Sequence, residues 1–235
     1  KYMPHTQGDA KIHISKLDAV CLVDEPLVEV PTPTPSDIDM RIGNFIANEI
    51  PDGATLQIGV GGIPNAVINA LRNHKHLGLH TEAITDGVLP LIKSGVIDNS
   101  LKKIHQGKSV GSLVLGSRQL YDYLDYNKEV ELYDVAYTND PQIIRQNPRA
   151  MAINSAIEVD LTGQICADSI GDTIISGVGG QHDFMYGAAL SEGGKCFIAL
   201  PSLTTKGKSK IVAHLAPGAD RKSTRLNSSH SDRSR

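Results

Sequence analysis

Ala54 to Ile58 is a short apolar run that ends in Gly59-Val60-Gly61-Gly62 and gives way to a helical stretch with Pro64 near its first position. A strand that turns through glycines into a helix constrains the chain more than any other feature in it. The helix must pack back onto the sheet that holds the strand, and repeated units of this kind build α/β layers with parallel strands. The loop also offers bare amides at a helix N-terminus, where an anion such as the phosphate of a nucleotide-like ligand can be held. From the residues alone a plain tight turn is an equally good reading. The run is not a dinucleotide fingerprint, because the third glycine and the later acid are out of place. Gly107-Lys108-Ser109 and Gly207-Lys208-Ser209 lack the leading glycine of a phosphate loop.

The rest of the chain alternates in the same way. Ala19 to Val30 reads as two short strands around Asp24-Glu25-Pro26, and residues 31–35 (PTPTP) as a stiff extended connector. Ser36 caps a helix with an apolar stripe of Ile38, Ile42, Phe45, Ile46 and Ile50, stopped by Pro51-Asp52-Gly53. Further on come a helix over Gly87 to Ser94 opened by Asp86 and a buried strand over Ser109 to Leu115. The helix that follows is expected to bury Leu120, Tyr123 and Leu124. A strand over Val130 to Val135 and a short helix from Asp140-Pro141 come next. The chain closes with a helix over Tyr186 to Leu190, a Gly193-Gly194 turn and a strand over Lys195 to Leu200. A change of composition near Gln106 divides the whole into two α/β lobes.

Within the second lobe lies the stretch that carries chemistry. Ala156, Ile157, Val159 and Leu161 surround Glu158 and break at Thr162-Gly163, so they read as a strand entering a tight hairpin that returns over Gln164 to Ser169. Gly177, Gly179 and Gly180 then open a backbone loop. A carboxylate with bare amides is a workable kit for acyl transfer, supplying a nucleophile and donors for a developing oxyanion. A lone Glu at a strand edge is more often simply solvated. Glu82 and Asp86, in HTEAITDG, have no role that the sequence assigns. His74, His76 and His80 read as surface histidines, since no cysteine or further ligand stands at metal-site spacing.

Composition narrows the function classes. A net charge of −3 and the absence of a basic, aromatic-interleaved patch argue against a nucleic-acid binder. No apolar run approaches the roughly 20 residues that span a bilayer. Cys21, Cys166 and Cys196 lack metal spacing and cannot all pair, which suits reduced thiols and a cytoplasmic location. Residues 220–235 (DRKSTRLNSSHSDRSR) hold almost nothing to bury and read as a tail foreign to the fold; without their five Lys/Arg and two Asp, residues 1–219 carry a net −6.

IEVDLTGQ followed by SGVGGQHDF resembles the acetyl-CoA hydrolase/transferase family, and within it the 4-hydroxybutyrate CoA-transferases. DGATLQIGVGGIPNAV, LGLHTEAITDGV, LVLGSRQLYDYLD and YTNDPQIIRQN match in the same order, so the resemblance covers most of residues 36–216. It implies two related α/β CoA-transferase-type domains, both incomplete in what looks like an internal fragment: the end of the first over 1–105 and the start of the second, with the catalytic Glu, over 106–219. It implies transfer of CoA between an acyl-CoA, of the acetyl or 4-hydroxybutyryl type, and a small carboxylate through a glutamyl-CoA thioester. The resemblance gives Glu158 the nucleophile's role and the amides of Gly179 and Gly180 the oxyanion, and it places Gly61, Gly62, Gln57 and Gln181 in the acyl-CoA pocket. No tightly bound cofactor and no metal are expected. The partners are acyl-CoA and small acids, not nucleic acid or membrane, and self-association is left open. A thioester hydrolase using the same site, a CoA-binding module without activity and an inert fragment are the competing readings.

Overall fold

The computed structural model describes residues 2–171, 173–177, 179–216 and 219, and the expected foreign tail lies outside them. The elements in chain order begin with β1 (Gln7–Gly8), α1 (Asp37–Asn48), β2 (Thr55–Ile58), α2 (Gly62–Ala70), β3 (Gly78–Leu79), β4 (Ala83–Thr85) and α3 (Leu89–Lys93). Then follow β5 (Ser109–Gly111), β6 (Leu113–Leu115), α4 (Arg118–Leu124), β7 (Val130–Leu132), α5 (Val135–Thr138) and α6 (Pro141–Ile144). The last are β8 (Ala150–Ser155), β9 (Glu158–Asp160), β10 (Ile165–Cys166), β11 (Ser169–Ile170), β12 (Thr173–Ile174), α7 (Gln181–Leu190), β13 (Lys195–Ala199) and β14 (Ile211–Val212).

The fold is α/β, built on a parallel sheet in the order β13-β8-β2-β3. Its centre is β8, whose sequence shows no alternation because the strand is buried on both faces. Met151 and Ile153 point into the core shared with α1 and α2, while Ala150 and Ala152 point into a second core with Ile144, Phe184, Met185 and Ala188. Helices therefore cover both faces of the sheet. Side chains such as Leu56, Met151 and Ile153 are wholly buried, each contributing about 1.5–3 kcal/mol of transfer free energy. The sheet takes β2 and β3 from before residue 106 and β8 and β13 from after it.

Local chemistry explains most boundaries. Ser36 and Asp39 form a reciprocal capping box at α1, with Asp39 N–H to Ser36 Oγ at 3.2 Å and Ser36 N–H to Asp39 Oδ2 at 2.9 Å. Helix α1 turns Gly43, Ile46 and Ala47 inward and leaves Phe45 and Ile38 exposed, so its stripe is narrower than the periodicity suggests. A Cβ on Gly43 would lie 2.7 Å from the Ala66 carbonyl carbon, which is why α1 and α2 pack so closely.

Several expectations need correction. Ala19 to Val30 forms no strand; Leu22 and Val28 are exposed, and the strand of this region is β1, paired with β7. Ser109 to Leu115 is broken at Ser112, where the chain leaves β7 and β6 joins β4 instead. Val135 opens a helix rather than closing a strand, because Asp134 caps it. Helix α4 buries Tyr121, whose hydroxyl donates to Val28 O at 2.9 Å, in place of Tyr123. Helix α7 starts five residues before the expected Tyr186.

Candidate active site

Because β2, β3, β8 and β13 run parallel, the segments after their carboxyl ends share one edge of the sheet. The Gly59–Gly62 loop leaves β2 there, His80-Thr81-Glu82 leaves β3, and Glu158 follows β8 after two residues. Helices α2 and α7 each lead back to the start of the next strand, so their N-termini lie at this edge as well. In open α/β sheets the crevice outside the carboxyl ends is where ligands bind. The loop after β2 is tied to the strand that leads to Glu158: Gly59 N–H donates to Ile153 O at 2.9 Å.

Glu158 opens β9, which pairs with β10 as the expected hairpin, Glu158 opposite Cys166 and Gly163 in the turn at φ +83°. Two residues apart in an extended strand, Glu158 and Asp160 share a face. Their partners differ. Asp160 is buried, and its carboxylate accepts from Thr162 N–H, Thr162 Oγ1, Gln164 N–H and Gln164 Nε2 at 2.7–3.0 Å. Burial alone would raise its pKa, but these donors outweigh it and hold the group well below the usual carboxylate range. Asp160 is thus spent on the turn. Glu158 is half-buried, and among the described residues no hydrogen bond or ion pair reaches its carboxylate.

The two loop glycines differ in their surroundings. A Cβ at Gly179 would meet nothing within 4 Å, and among the described residues the Gly179 amide has no partner. Gly180 differs. Its N–H already donates to Glu82 Oε2 at 3.0 Å, and a Cβ there would strike Glu82 Oε2 and Asn139 Nδ2. Of the two loop amides expected to face an oxyanion, that of Gly180 is thus bonded to a carboxylate and that of Gly179, among the described residues, is not. Gln181 begins α7, and its Nε2 is buried with no partner among the described residues, leaving a donor open at that helix end.

Gln57 is buried and exchanges two hydrogen bonds with Asn154, at 2.9 and 3.2 Å, joining β2 to β8. Gly61 takes φ +138° at the head of α2, and the nearest atom to a Cβ there would be Pro64 Cδ at 3.9 Å, so it is open. Gly62 lies against an acid, since its Cβ would fall 2.7 Å from Asp39 Oδ2, and that charge disfavours a phosphate at the same point.

His80, expected at the surface, is 3% exposed. Its Nε2–H donates to Thr138 O at 2.8 Å, and burial, helped by the nearby Lys102, pushes its pKa down to about 4. It lines a cavity of water size with Gln57 and Phe184. Glu82 and Asp86 also acquire partners: Asp86 accepts from Ser117 N–H and Oγ at 2.9 and 2.8 Å, seating the start of α4. Among the described residues no cluster of His, Cys, Asp and Glu could hold a metal, and no helix is long and apolar enough to cross a membrane. No hydrogen bond or ion pair among the described residues joins Glu158 to Gly61, Gly62, Gly179 or Gly180.

A family model described as the acetyl-CoA hydrolase/transferase C-terminal domain matches residues 116–230. The chain is 49% identical over 220 residues to a 4-hydroxybutyrate coenzyme A transferase of Clostridium kluyveri, covering 93% of this chain and 51% of that protein. It is 49% identical over 226 residues to a succinyl-CoA:acetate/propanoyl-CoA:succinate CoA transferase of Fasciola hepatica, covering 95% and 47%. The crystal structure of a 4-hydroxybutyrate CoA-transferase from Porphyromonas gingivalis superposes with a TM-score of 0.82 at 45% identity, over 92% of this chain and 52% of that one. The chain spans about half the length of the curated relatives it matches.

Proposed function

The chain belongs to the acetyl-CoA hydrolase/transferase family, and from that membership we propose that it carries the acyl-transfer carboxylate of a CoA-transferase acting between an acyl-CoA and a small carboxylic acid. The observation that carries this reading is the contrast on β9: Glu158 is half-buried and unpartnered among the described residues, at the edge where the sheet's loops converge, while Asp160 is saturated.

In the proposed reaction the Glu158 carboxylate attacks the thioester carbonyl and expels CoA thiolate, giving a mixed anhydride. The thiolate then attacks the enzyme-side carbonyl of that anhydride. This leaves CoA on Glu158 as a thioester and releases the first acid as its carboxylate. An acceptor carboxylate runs the two steps backwards and departs as the new acyl-CoA. The acyl bond energy is kept throughout, so kinetics should be ping-pong. Each tetrahedral step places charge on oxygen, and the Gly179 N–H is the donor we assign to it; losing one such donor typically costs about 10²–10³ in rate. Gly61 and the open Gln181 Nε2 are assigned to the acyl-CoA side. CoA enters as substrate, and no resident cofactor is invoked.

Hydrolysis is the second reading, favoured by the partial exposure of Glu158, which leaves water a path to the intermediate. Incubation with an acyl-CoA, with and without a second carboxylic acid, separates the two. Formation of the new acyl-CoA supports transfer, net thiol release supports hydrolysis, and neither would overturn both.

A further inference from the structure

Helix α7 lacks a side-chain cap of its own; its N-cap is Gly180. The carboxylate at its head comes from Glu82, 98 residues earlier in the chain. Glu82 Oε2 accepts from Gly180 N–H at 3.0 Å and from Asn139 Nδ2 at 2.6 Å. A carboxylate is favourable there, since the first turn of a helix presents unpaired N–H groups and the positive end of its dipole.

This pair is itself held rigidly. The Glu82 carbonyl accepts from both Ser112 N–H and Leu113 N–H, at 2.9 and 3.0 Å. Asn139 is 9% exposed and caps the C-terminus of α5, and its neighbour Thr138 is bonded through its carbonyl to His80. His80 in turn meets Phe184 of α7 edge-on, with ring centroids 6.2 Å apart. Residues 80–82 thus grip 138–139 and the first turns of α7 at two points. Only glycine fits at 180, because any Cβ would strike both members of the pair.

We propose that Glu82 and Asn139 are positioning residues for acyl transfer: together they clamp Gly180 and so fix the loop whose Gly179 amide receives the oxyanion. The inference rests on the reading of Glu158 and Gly179 given above. It assigns a purpose to a carboxylate that the reaction itself does not consume. A misplacement of about 1 Å at such a donor can cost 10²-fold in rate.

The test compares wild type with Glu82→Ala, Glu82→Gln and Asn139→Ala. Each is assayed for kcat and KM with acetyl-CoA and a carboxylate acceptor, and for single-turnover formation of the Glu158 adduct with acetyl-CoA alone. Melting is followed in parallel. We expect Glu82→Ala to lower kcat and the adduct rate by about 10²-fold with KM within a few-fold of wild type. Glu82→Gln, which keeps one acceptor oxygen, should recover part of the loss. A merely structural role would lower the melting temperature and the folded fraction while leaving kcat per folded molecule unchanged, and that result overturns the proposal. If Glu82→Ala does not fold, Glu82→Gln and Asn139→Ala decide on the same criterion. Failure of wild type to form any Glu158 adduct would instead overturn the underlying reading, so the two failures are distinguishable.

Discussion

Glu158 and Asp160 stand two residues apart on one face of β9, and one has no partner among the described residues while the other accepts four hydrogen bonds. The difference assigns their work. Asp160→Ala should loosen the hairpin, lowering the melting temperature by a few degrees, because Thr162 and Gln164 lose their acceptor. Glu158→Gln should leave melting nearly unchanged. Thermal unfolding of both variants checks this, and the reverse order would show that Glu158 is the structural acid.

The two loop glycines should respond differently to substitution. Gly180→Val drives a side chain into Glu82 and Asn139 and should disturb the head of α7, visible as a lower melting temperature. Gly179→Ala meets open space and should leave the fold intact. Gly179→Pro deletes the amide, and turnover should fall by about 10²–10³-fold in a folded protein. Undiminished turnover in that variant would move the oxyanion donor elsewhere.

Much of the architecture was legible in the sequence, for identifiable reasons. Ser36 with Asp39, the Gly59–Gly62 turn, and Thr162-Gly163 are local signals that act within a few residues, and the structure places α1, α2 and the β9–β10 hairpin where they point. The missing parts depend on distant partners. Strand β8 carries no alternation because both its faces are covered, and His80 is buried by Phe184 and Thr138, neither of which is near it in sequence. Glu158 stands out in its motif, whereas the bond from Gly180 N–H to Glu82 is a contact no spacing rule reveals. A polar residue inside an apolar strand, as Gln57 is in TLQI, signals a buried hydrogen-bonded pair as readily as a ligand.

That pair yields a stability prediction. Gln57→Ala would leave Asn154 buried without its partner, at a cost of about 1–3 kcal/mol. Denaturant unfolding measures it. If Gln57 served the acyl-CoA instead, KM would rise while stability held.

His80 gives a pH dependence of defined sign. An unfolded histidine takes up a proton near pH 6.5, whereas the buried ring resists until about 4. Between those values the unfolded state binds more protons, so stability falls as pH falls, by up to about 3 kcal/mol in all, and levels off below 4. His80→Gln, which keeps a donor for Thr138 O, should flatten that window in pH-dependent unfolding. An unchanged slope would assign it to other groups.

The central claim is that Glu158 becomes the carrier of CoA. The direct measurement takes a preparation that turns over acyl-CoA, supplies the thioester without an acceptor acid, reduces with borohydride and maps the modified peptide by mass spectrometry. Without an acceptor the second half-reaction stalls, so the glutamyl-CoA thioester should accumulate and the reduced lesion should fall on Glu158, absent in Glu158→Gln and Glu158→Asp. A lesion on Asp160, Glu82 or Asp183, or continued turnover with no lesion at all, would contradict it.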